Sequence, residues 1–492
     1  MIIKTEPDEI QNYLIDASNF KGCCEAVYFP ENEKEVIDLL KYANSNGKKI
    51  TIAGNGTGLT GARVPEGGLV IAMERLDKIL DIDVENKNAT VQSGVILRDF
   101  KERIESLNLY YPPDPTELNC CIGATIVNNS SGARTFKYGP TRNYVMALNI
   151  ILPDGEKIVL NKGETIAKGF NLNLVTMEGK KISLSIPEYF IPETKNAAGY
   201  YCKKNMDAID LFVGSEGTLG IITEVKLKLL DLPKNFISVV AFFNYEQEAL
   251  NFLFEARILS GKSGHNNIAN INASGLEYFD FRSLDFLIND YPNIPSNTKA
   301  AIWFEQATTK ENEDIILSLW VDLLKSHNVD IGKVWTATNK KEKEVFEEFR
   351  HSVSWKVVEY ISKYNVQKVG TDTAVPENKF IDYYDYCTTL VEKSGIKFIC
   401  YGHFGNSHLH LNMLPTDNDE YLRAKELYSH ICRKAITLKG TISAEHGIGK
   451  IKREYLLEMY GEEIIKKMAA LKTNLDPNLI LNIGNIFHPK YL

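Results

Sequence analysis

The sequence predicts an α+β fold, because short strands and amphipathic helices alternate along its whole length. A helix is expected at 34–47, where Val36, Leu39 and Ala43 recur with helical spacing. Strands are expected, from apolar or alternating residues, at 49–53, 69–73 and 89–92. With 492 residues the chain is too long for one ordinary core, so two or three domains are expected.

A domain boundary is predicted near Pro233. The alternating segment 221–229 has the pattern of a closing strand, and Asp231 and Pro233 follow it. Beyond this point a second set of elements is predicted: strands at 236–243 and 300–304, and helices at about 245–259, 310–327 and 340–363. The last stretch has a helix and a loop that could return to the first domain. The expected division is 1–232, 233–440 and 441–492.

Composition excludes several classes of function. A net charge of −8 and a pI near 5.7 leave no basic surface for nucleic acid, and Lys466–Lys467 has the pattern of a solvated helix face. The first residues are acidic where a signal peptide is apolar, and no apolar run approaches the roughly 20 residues of a membrane span. We therefore expect a cytoplasmic protein without a transmembrane segment, with peripheral association to the inner membrane face left open. The eight cysteines lack metal or cluster spacing and are expected to be buried free thiols.

A glycine-rich loop at 54–61 is predicted to bind phosphate, since several of its residues can adopt positive φ and turn consecutive N–H groups inward. Its G-x-G-x-x-G at 56, 58 and 61 admits a Rossmann site, with Asp81 or Asp83 on the ribose. That site needs a helix directly after the glycines, and 64–68 with a strand follows instead. A phosphate loop of another kind is favoured over a Rossmann site or a plain turn.

Further segments that carry the comparison lie at 112–116, which is rich in proline, at 122–132 and 214–224, which are rich in small residues, and at 137–139. With the glycine loop they resemble the FAD-binding fold of vanillyl-alcohol oxidase and p-cresol methylhydroxylase (PCMH), and within it the D-lactate, glycolate and D-2-hydroxyglutarate dehydrogenases. The resemblance implies a PCMH-type FAD-binding domain at 1–232, an α+β cap for substrate at 233–440, and a C-terminal segment at 441–492 that completes the active site. The residues it implies for FAD binding are Gly54, Asn55, Gly56, Thr57, Gly58, Leu59, Pro112, Asp114, Thr116, Gly123, Ala124, Asn128, Ser130, Gly132, Tyr138, Glu216, Gly217, Gly220, Ile221, Ile222 and Asn482.

Attachment of the FAD is expected to be non-covalent. In some relatives a histidine near the glycine loop bonds to the flavin, and none of the nine histidines here lies between 1 and 264. A link through Cys120 or Cys121 is the alternative.

Histidines concentrate near the C-terminus, where five of nine fall within 403–446. The segment 401–412 has the pattern of a glycine loop entering a strand, and period two puts His408, His410 and Asn412 on one face. Downstream, Glu445 and His446 adjoin on another loop of small residues. Two imidazoles and a carboxylate form a typical open catalytic site for zinc or a similar divalent ion. Histidines bonded within an ordinary core are the alternative.

These segments match the family pattern G-H-x-G-x-x-x-L-H-L-N followed by S-A-E-H-G. The resemblance implies metal ligands at His403, His410 and Glu445, a substrate contact at Asn412 and a catalytic base at His446. His408 departs from the usual small polar residue, which leaves its role open.

Substrate specificity is addressed by two further positions in the cap. Arg350 resembles the family's substrate-carboxylate arginine, and a solvated arginine on a charged helix is the alternative. The segment 370–376 resembles the family's D-V-x-V-P turn, but Gly370 stands where the dicarboxylate-specific members carry lysine. Lys368, two residues away, is not expected to reach the site, which weakens the case for a substrate with a second carboxylate.

The resemblance implies oxidation of a small D-2-hydroxy acid, such as D-lactate or glycolate, by hydride transfer to flavin with help from a divalent metal and a histidine base. The electrons would pass to an external quinone, cytochrome or electron-transfer flavoprotein. A homodimer is compatible with this function. Two alternatives stay open: a flavoenzyme similar to alkyl-dihydroxyacetone-phosphate synthase, and a flavoprotein subunit that docks in an electron-transfer complex.

Overall fold

The computed structural model describes residues 1–263 and 270–492 and has the predicted mixture of helices and strands. The N-terminal part contains a four-stranded sheet, in the order Ile2–Lys4, Ala26–Phe29, Leu69–Ala72, Ile50–Ala53. Its last three strands are parallel. Helix Glu33–Ser45 packs on this sheet through its apolar stripe and is capped by Asn32, whose side chain accepts the Glu35 N–H at 3.0 Å. The predicted helix at 34–47 and strands at 49–53 and 69–73 are confirmed to within two residues.

A five-stranded antiparallel sheet follows, in the order Ile79–Asp83, Asn88–Gln92, Ile221–Lys228, Val145–Ile151, Lys157–Asn161. Strand pairs Asn171–Val175 with Lys181–Ser185 and Leu109–Tyr110 with Leu230–Asp231 flank it. The helices of this part are Pro7–Ile10, Leu97–Glu105, Ile122–Val127, Thr135–Tyr138 and Ala208–Phe212. The predicted closing strand at 221–229 therefore lies at the centre of its sheet.

The second part is built on a mainly antiparallel sheet, which we call the cap sheet. Its order is Trp335–Ala337, Asn235–Phe243, Ala300–Thr308, Gly275–Asp280, Phe398–Gly402, His408–Met413, Val369–Gly370, and Thr373–Ala374 also pairs with His408–Met413. The helices around it are Glu246–Ser263, Phe281–Leu287, Glu313–Ser326, Lys340–Ile361, Phe380–Ser394 and Asn418–Thr437. The strands and helices predicted for this part are all present.

The chain end returns to the first sheet after helix Arg453–Leu475. The Ile50 N–H donates to the Ile480 carbonyl at 2.7 Å, and the Asn482 N–H donates to the Ile50 carbonyl at 2.8 Å. The Asn482 side chain continues the contact, since its Oδ1 accepts the Ile52 N–H at 2.8 Å. This segment thus lies beside the strand that leads into the glycine loop, and the boundaries 1–232, 233–440 and 441–492 stay predictions.

The predicted exposure of two lysines is confirmed, and the predicted burial of the cysteines is correct only in part. Lys466 and Lys467 are exposed, as predicted. All eight cysteines are free, but Cys23 is exposed and Cys24 half-buried, so burial holds for six of them. Among the described residues no helix is long and apolar enough to cross a membrane.

Candidate active site

The glycine loop 54–61 connects two parallel strands and leaves its central amides open. The N–H groups of Gly56, Thr57, Gly58 and Leu59 have no acceptor within the described parts of the chain. Arg63 supports the loop from behind, since its guanidinium donates to the Gly54 carbonyl at 2.5 Å. Consecutive free amides of this kind suit phosphate oxygens. The strand Leu69–Ala72 follows the loop, with no helix between them, so the Rossmann alternative is wrong.

Several other glycines predicted to line the cofactor lie where a side chain would not fit. A Cβ on Gly54 would come within 2.7 Å of the Cys121 sulfur, and one on Gly123 within 2.6 Å of the Ser93 Cβ. At Gly132 the clash would be with the Asp114 carbonyl oxygen at 2.1 Å. The close approach of these backbones explains why glycine is needed there. The free amides of the glycine loop fit the phosphate groups of an extended cofactor.

The structure places the remaining predicted cofactor residues in segments around the same region. Pro112, Asp114 and Thr116 follow strand Leu109–Tyr110, Ala124 lies in helix Ile122–Val127, and Tyr138 ends helix Thr135–Tyr138. Asn128 and Ser130 lie in the loop after helix Ile122–Val127. Gly217 and Gly220 precede strand Ile221–Lys228, which begins with Ile221 and Ile222.

Glu216 has a structural task that sequence does not reveal. It is buried at φ 52°, and its carboxylate accepts the N–H groups of Ile448 and Gly449 at 2.6 and 2.8 Å. The Asn482 side chain donates to the Glu216 carbonyl at 2.7 Å. Glu216 thereby links the loop that follows Glu445 and His446 to the first part of the chain. Asn482 links the C-terminal segment to Glu216.

The three predicted metal ligands meet at one oxygen atom, Oε1 of Glu445. The Nε2 atoms of His403 and His410 lie 3.2 and 3.1 Å from Glu445 Oε1. These residues come from the turn after Phe398–Gly402, from strand His408–Met413, and from the loop at 441–449. That loop is brought close because the Thr441 N–H donates to the Ala374 carbonyl at 2.8 Å, beside the same strand.

Each of the two imidazoles has a hydrogen-bond partner at Nδ1, which fixes the orientation of the ring. His403 Nδ1 lies 2.7 Å from Glu277 Oε1, and His410 Nδ1 lies 3.1 Å from the Thr371 carbonyl. An imidazole nitrogen that faces an oxygen acceptor carries a proton, so Nδ1 of each ring is protonated and Nε2 is the nitrogen that a metal can use.

This donor set suits a cation. Burial opposes a charge on His403, but Glu277 and Glu445 raise its pKa to about 9, so a proton there could satisfy one contact with Glu445. The contact of His410 Nε2 with Glu445 Oε1 still joins two acceptors. Two nitrogens and a carboxylate oxygen are the ligands of an open zinc-type site, and the residues present therefore fit a divalent metal.

Asp372 organises the neighbouring loop and was not singled out from the sequence as a site residue. It is fully buried and accepts hydrogen bonds from Lys452 Nζ at 2.7 Å and Ser443 Oγ at 2.8 Å. The backbone N–H groups of Glu445 and His446 also donate to it, at 3.2 and 3.1 Å. Burial would raise the pKa of Asp372, but the Lys452 ammonium and the hydrogen bond from His408 hold it well below its usual range.

His446 is the most exposed side chain of this group, at 26%. Its Nδ1 lies 3.3 Å from Asp372 Oδ2, and its Nε2 lies 3.7 Å from Glu445 Oε1. Burial lowers the pKa of His446 to about 4, more than the neighbouring carboxylates raise it, so the ring is neutral near pH 7. Because Asp372 holds the proton on Nδ1, Nε2 is left as an acceptor.

Arg350 lies on helix Lys340–Ile361 and is not a freely solvated residue. Its guanidinium stacks over the Trp303 ring with 4.9 Å to the centroid, and its Nε is buried without a hydrogen-bond partner. It forms no ion pair with any described residue. Burial opposes ionisation of Glu277, but His403 and Arg350 together lower its pKa.

Two lysines correct or extend the sequence prediction. Lys368 was expected not to reach the site, but its Nζ donates to Asn412 Oδ1 at 3.0 Å. It gets there because Gly370 offers no side chain: a Cβ on Gly370 would lie 2.7 Å from the same oxygen. The sequence prediction did not include Lys195, because it lies 250 positions before Glu445. In the structure its Nζ lies 2.5 Å from Glu445 Oε2. No local pattern marks Lys195 or Glu277, whereas Asp372 stands in the segment 370–376.

The fold and this site define an FAD-dependent oxidoreductase, and comparison with known proteins identifies the family. A family model described as an FAD binding domain matches residues 24–161, and one described as the C-terminal domain of FAD linked oxidases matches residues 265–486. The fold also matches a solved structure of alkyldihydroxyacetonephosphate synthase with a TM-score of 0.67 and 18% identity, covering 98% of this chain and 81% of that one.

Curated relatives match over nearly the whole chain. It is 32% identical to glycolate oxidase subunit GlcD of Bacillus subtilis, with 96% of this chain and 92% of that protein covered. It is 29% identical to a D-lactate dehydrogenase of Anaerostipes hadrus, with coverage of 92% and 87%. Identity to a D-2-hydroxyglutarate dehydrogenase of Stutzerimonas stutzeri is 26%, with coverage of 99% and 96%. The chain belongs to this family of FAD-linked oxidoreductases and has its PCMH-type FAD-binding fold.

Proposed function

We propose that this enzyme oxidises a small D-2-hydroxy acid, such as D-lactate or glycolate, to the 2-oxo acid, with non-covalent FAD and a divalent metal such as zinc. The observation that carries the proposal is the convergence of His403, His410 and Glu445 on one point beside neutral His446. This point adjoins the predicted FAD-binding loops, since Ser131 Oγ donates to Glu445 Oε2 at 3.3 Å.

When bound, FAD supplies a hydride acceptor, and a divalent ion held by His403, His410 and Glu445 supplies a Lewis acid. His446 Nε2, whose lone pair is free, takes the proton of the substrate hydroxyl. Arg350 binds the substrate carboxylate through its guanidinium, whose Nε has no hydrogen-bond partner, while one terminal nitrogen is bonded to His351 Nε2 at 3.0 Å. Asn412 orients the substrate through its amide. We place the electron acceptor outside the chain, as a quinone, a cytochrome or an electron-transfer flavoprotein.

The role of Arg350 is tested by Arg350→Lys. Lysine keeps the charge but loses the planar pair of donors, so substrate binding should weaken by about 1.5–3 kcal/mol while FAD content stays unchanged. The measurement is the substrate dependence of flavin reduction. Arg433→Lys is the matched control, since Arg433 is 54% exposed and pairs with Glu458 at the surface. Kinetics equal to those of the wild type would make Arg350 a packing residue only.

A second candidate is the same reaction on a 2-hydroxy acid with a second carboxylate, and Lys368 favours it. This half-buried ammonium has no carboxylate partner among the described residues, and desolvation lowers its pKa to about 8. It contacts Asn412, which lies two positions along the strand from His410. An anionic group on the substrate would provide the missing partner.

Lys368→Met separates the two candidates. If the substrate is a dicarboxylate, the variant should lose on the order of 10- to 100-fold in kcat/KM for D-2-hydroxyglutarate, as for a lost charged hydrogen bond, and keep its activity on D-lactate. A panel of D-2-hydroxy acids with a dye acceptor, on protein of measured metal content, provides the comparison. A wild-type preference for D-lactate that the variant retains would exclude the dicarboxylate.

Two other functions are separated by the same panel. An enzyme resembling alkyl-dihydroxyacetone-phosphate synthase would reduce no dye with these acids, and its likeness to this chain at 18% identity concerns the fold alone. A docking subunit of an electron-transfer complex would also be inactive. All three proposed metal ligands lie together, and the neighbouring His446 is neutral, so its Nε2 can accept a proton. Both observations argue against these two functions.

A further inference from the structure

Lys195 reaches the metal ligands from the other part of the chain. It lies in the loop between strand Lys181–Ser185 and helix Ala208–Phe212, and its side chain is 4% exposed. The residues after it are fastened to the loop that carries Glu445. Asn196 Oδ1 accepts from Thr441 Oγ1 at 2.6 Å, and the Ala197 N–H donates to the Ser443 carbonyl at 2.9 Å. The ammonium is therefore held in place rather than resting there by chance.

Glu445 uses its two oxygens for different purposes. Oε1 faces the Nε2 atoms of His403 and His410, whereas Oε2 lies 2.5 Å from Lys195 Nζ. The second oxygen is thus already bound to a cation, and only the first is available to a metal. A charged hydrogen bond to a carboxylate also withdraws electron density from it, so the metal-facing oxygen is a weaker donor.

His408 belongs to the same arrangement. Lys195 Nζ lies 3.3 Å from His408 Nδ1, and an ammonium can only donate, so Nδ1 is the acceptor. His408 Nε2 then carries the proton and donates to Asp372 Oδ1 at 3.0 Å. Both ring nitrogens are occupied, although His408 lies within the group of potential metal ligands.

We propose that Lys195 and His408 are positioning residues that restrict Glu445 to one metal-facing oxygen and so keep the bound metal a strong Lewis acid. His408 holds the ammonium of Lys195 in place and passes the contact on to Asp372, which in turn orients His446. The inference rests on the proposed function. It assigns a role to a lysine and a histidine that are not ligands themselves.

This arrangement has a consequence that a merely structural lysine would not have. Removing Lys195 takes away a positive charge beside the metal site and frees Glu445 Oε2 for coordination. Metal binding should therefore be retained or become tighter, while the reaction becomes slower. A lysine that only supports the fold would, when lost, weaken metal binding and activity together.

The test compares Lys195→Met with wild type in two measurements: zinc affinity by competition with a chelator, and flavin reduction at saturating acid. We expect zinc affinity equal to or above that of the wild type, and a reduction rate lower by about 10- to 100-fold, within the range of a positioned catalytic group. Lys195→Arg, which keeps a charged donor, should restore part of the rate. Lys204→Met is the control, since Lys204 is an exposed lysine of the same loop.

Two results would overturn the proposal: weaker zinc binding in Lys195→Met, or a reduction rate within twofold of the wild type. If Lys195→Met folds poorly, His408→Leu tests the same point, since it leaves Lys195 without its acceptor and should show the same pattern. His408→Gln should retain more activity, because its amide can accept from Lys195 and donate to Asp372. A wild-type protein whose flavin no acid reduces would instead disprove the proposed function, and zinc affinity could still be compared.

Discussion

Replacing His446 by alanine is expected to slow flavin reduction by about 10²- to 10⁴-fold while the protein keeps its FAD and its metal. The imidazole is the one member of the group with a free acceptor nitrogen and appreciable exposure, since Asp372 occupies Nδ1 and Nε2 lies 3.7 Å from Glu445 Oε1. The metal should stay because His403, His410 and Glu445 remain. The measurements are rapid-mixing kinetics, flavin absorbance and metal content.

The control for this variant is His430→Ala. His430 falls within the same histidine-rich stretch of the sequence but is exposed on helix Asn418–Thr437. Its removal should leave the rate and the metal content unchanged. A His446→Ala protein that reduces its flavin at the wild-type rate would remove His446 from the mechanism.

Replacing Glu445 by glutamine is expected to abolish metal binding, and with it activity, while FAD is retained. A neutral amide is a poor metal ligand, and it also leaves the Lys195 ammonium buried without its anion. Among the described residues, the Glu445 side chain bonds to the predicted FAD-binding segments only through the Ser131 hydroxyl, so the bound flavin should keep its absorbance. Metal analysis of the purified variant gives the decisive number.

Glu462→Gln serves as the control, because Glu462 is 60% exposed and pairs with Lys466 on the surface. If Glu445→Gln keeps the metal and His446→Ala loses it, the two assignments must be exchanged. If neither variant changes metal content or rate, the cluster is structural and the functional site lies elsewhere in the cap.

Much of the fold was predictable because it depends on local periodicity. The helix Glu33–Ser45 and the strands Ile50–Ala53 and Asn235–Phe243 show their apolar spacing directly in the sequence. The non-Rossmann nature of the glycine loop also followed from local order, since a strand rather than a helix comes next. Which strands pair within each sheet depends on distant segments, and the sequence left this open.

The residues of the site were also predictable only where they lie in short local patterns. His403, His410 and Glu445 lie in short segments with a family pattern, and the structure brings them together. Their supporting partners come from distant elements: Glu277 lies 126 positions before His403, and Lys195 lies 213 positions before His408.

Lys368 shows a different limit of sequence reasoning. Counting positions from Gly370 suggested that its side chain would fall short. Along a strand, however, residues two apart share a face, and the missing side chain at Gly370 leaves the space through which Lys368 reaches Asn412. The lack of a side chain at Gly370 therefore matters for the position of Lys368.

Anaerobic rapid mixing of the FAD-loaded, zinc-loaded protein with D-lactate and with D-2-hydroxyglutarate tests the central claim most directly. One of these acids should bleach the flavin absorbance, removal of zinc by a chelator should abolish the reaction, and added zinc should restore it. A flavin that stays oxidised with every D-2-hydroxy acid, or one that is reduced equally fast without metal, would contradict the account.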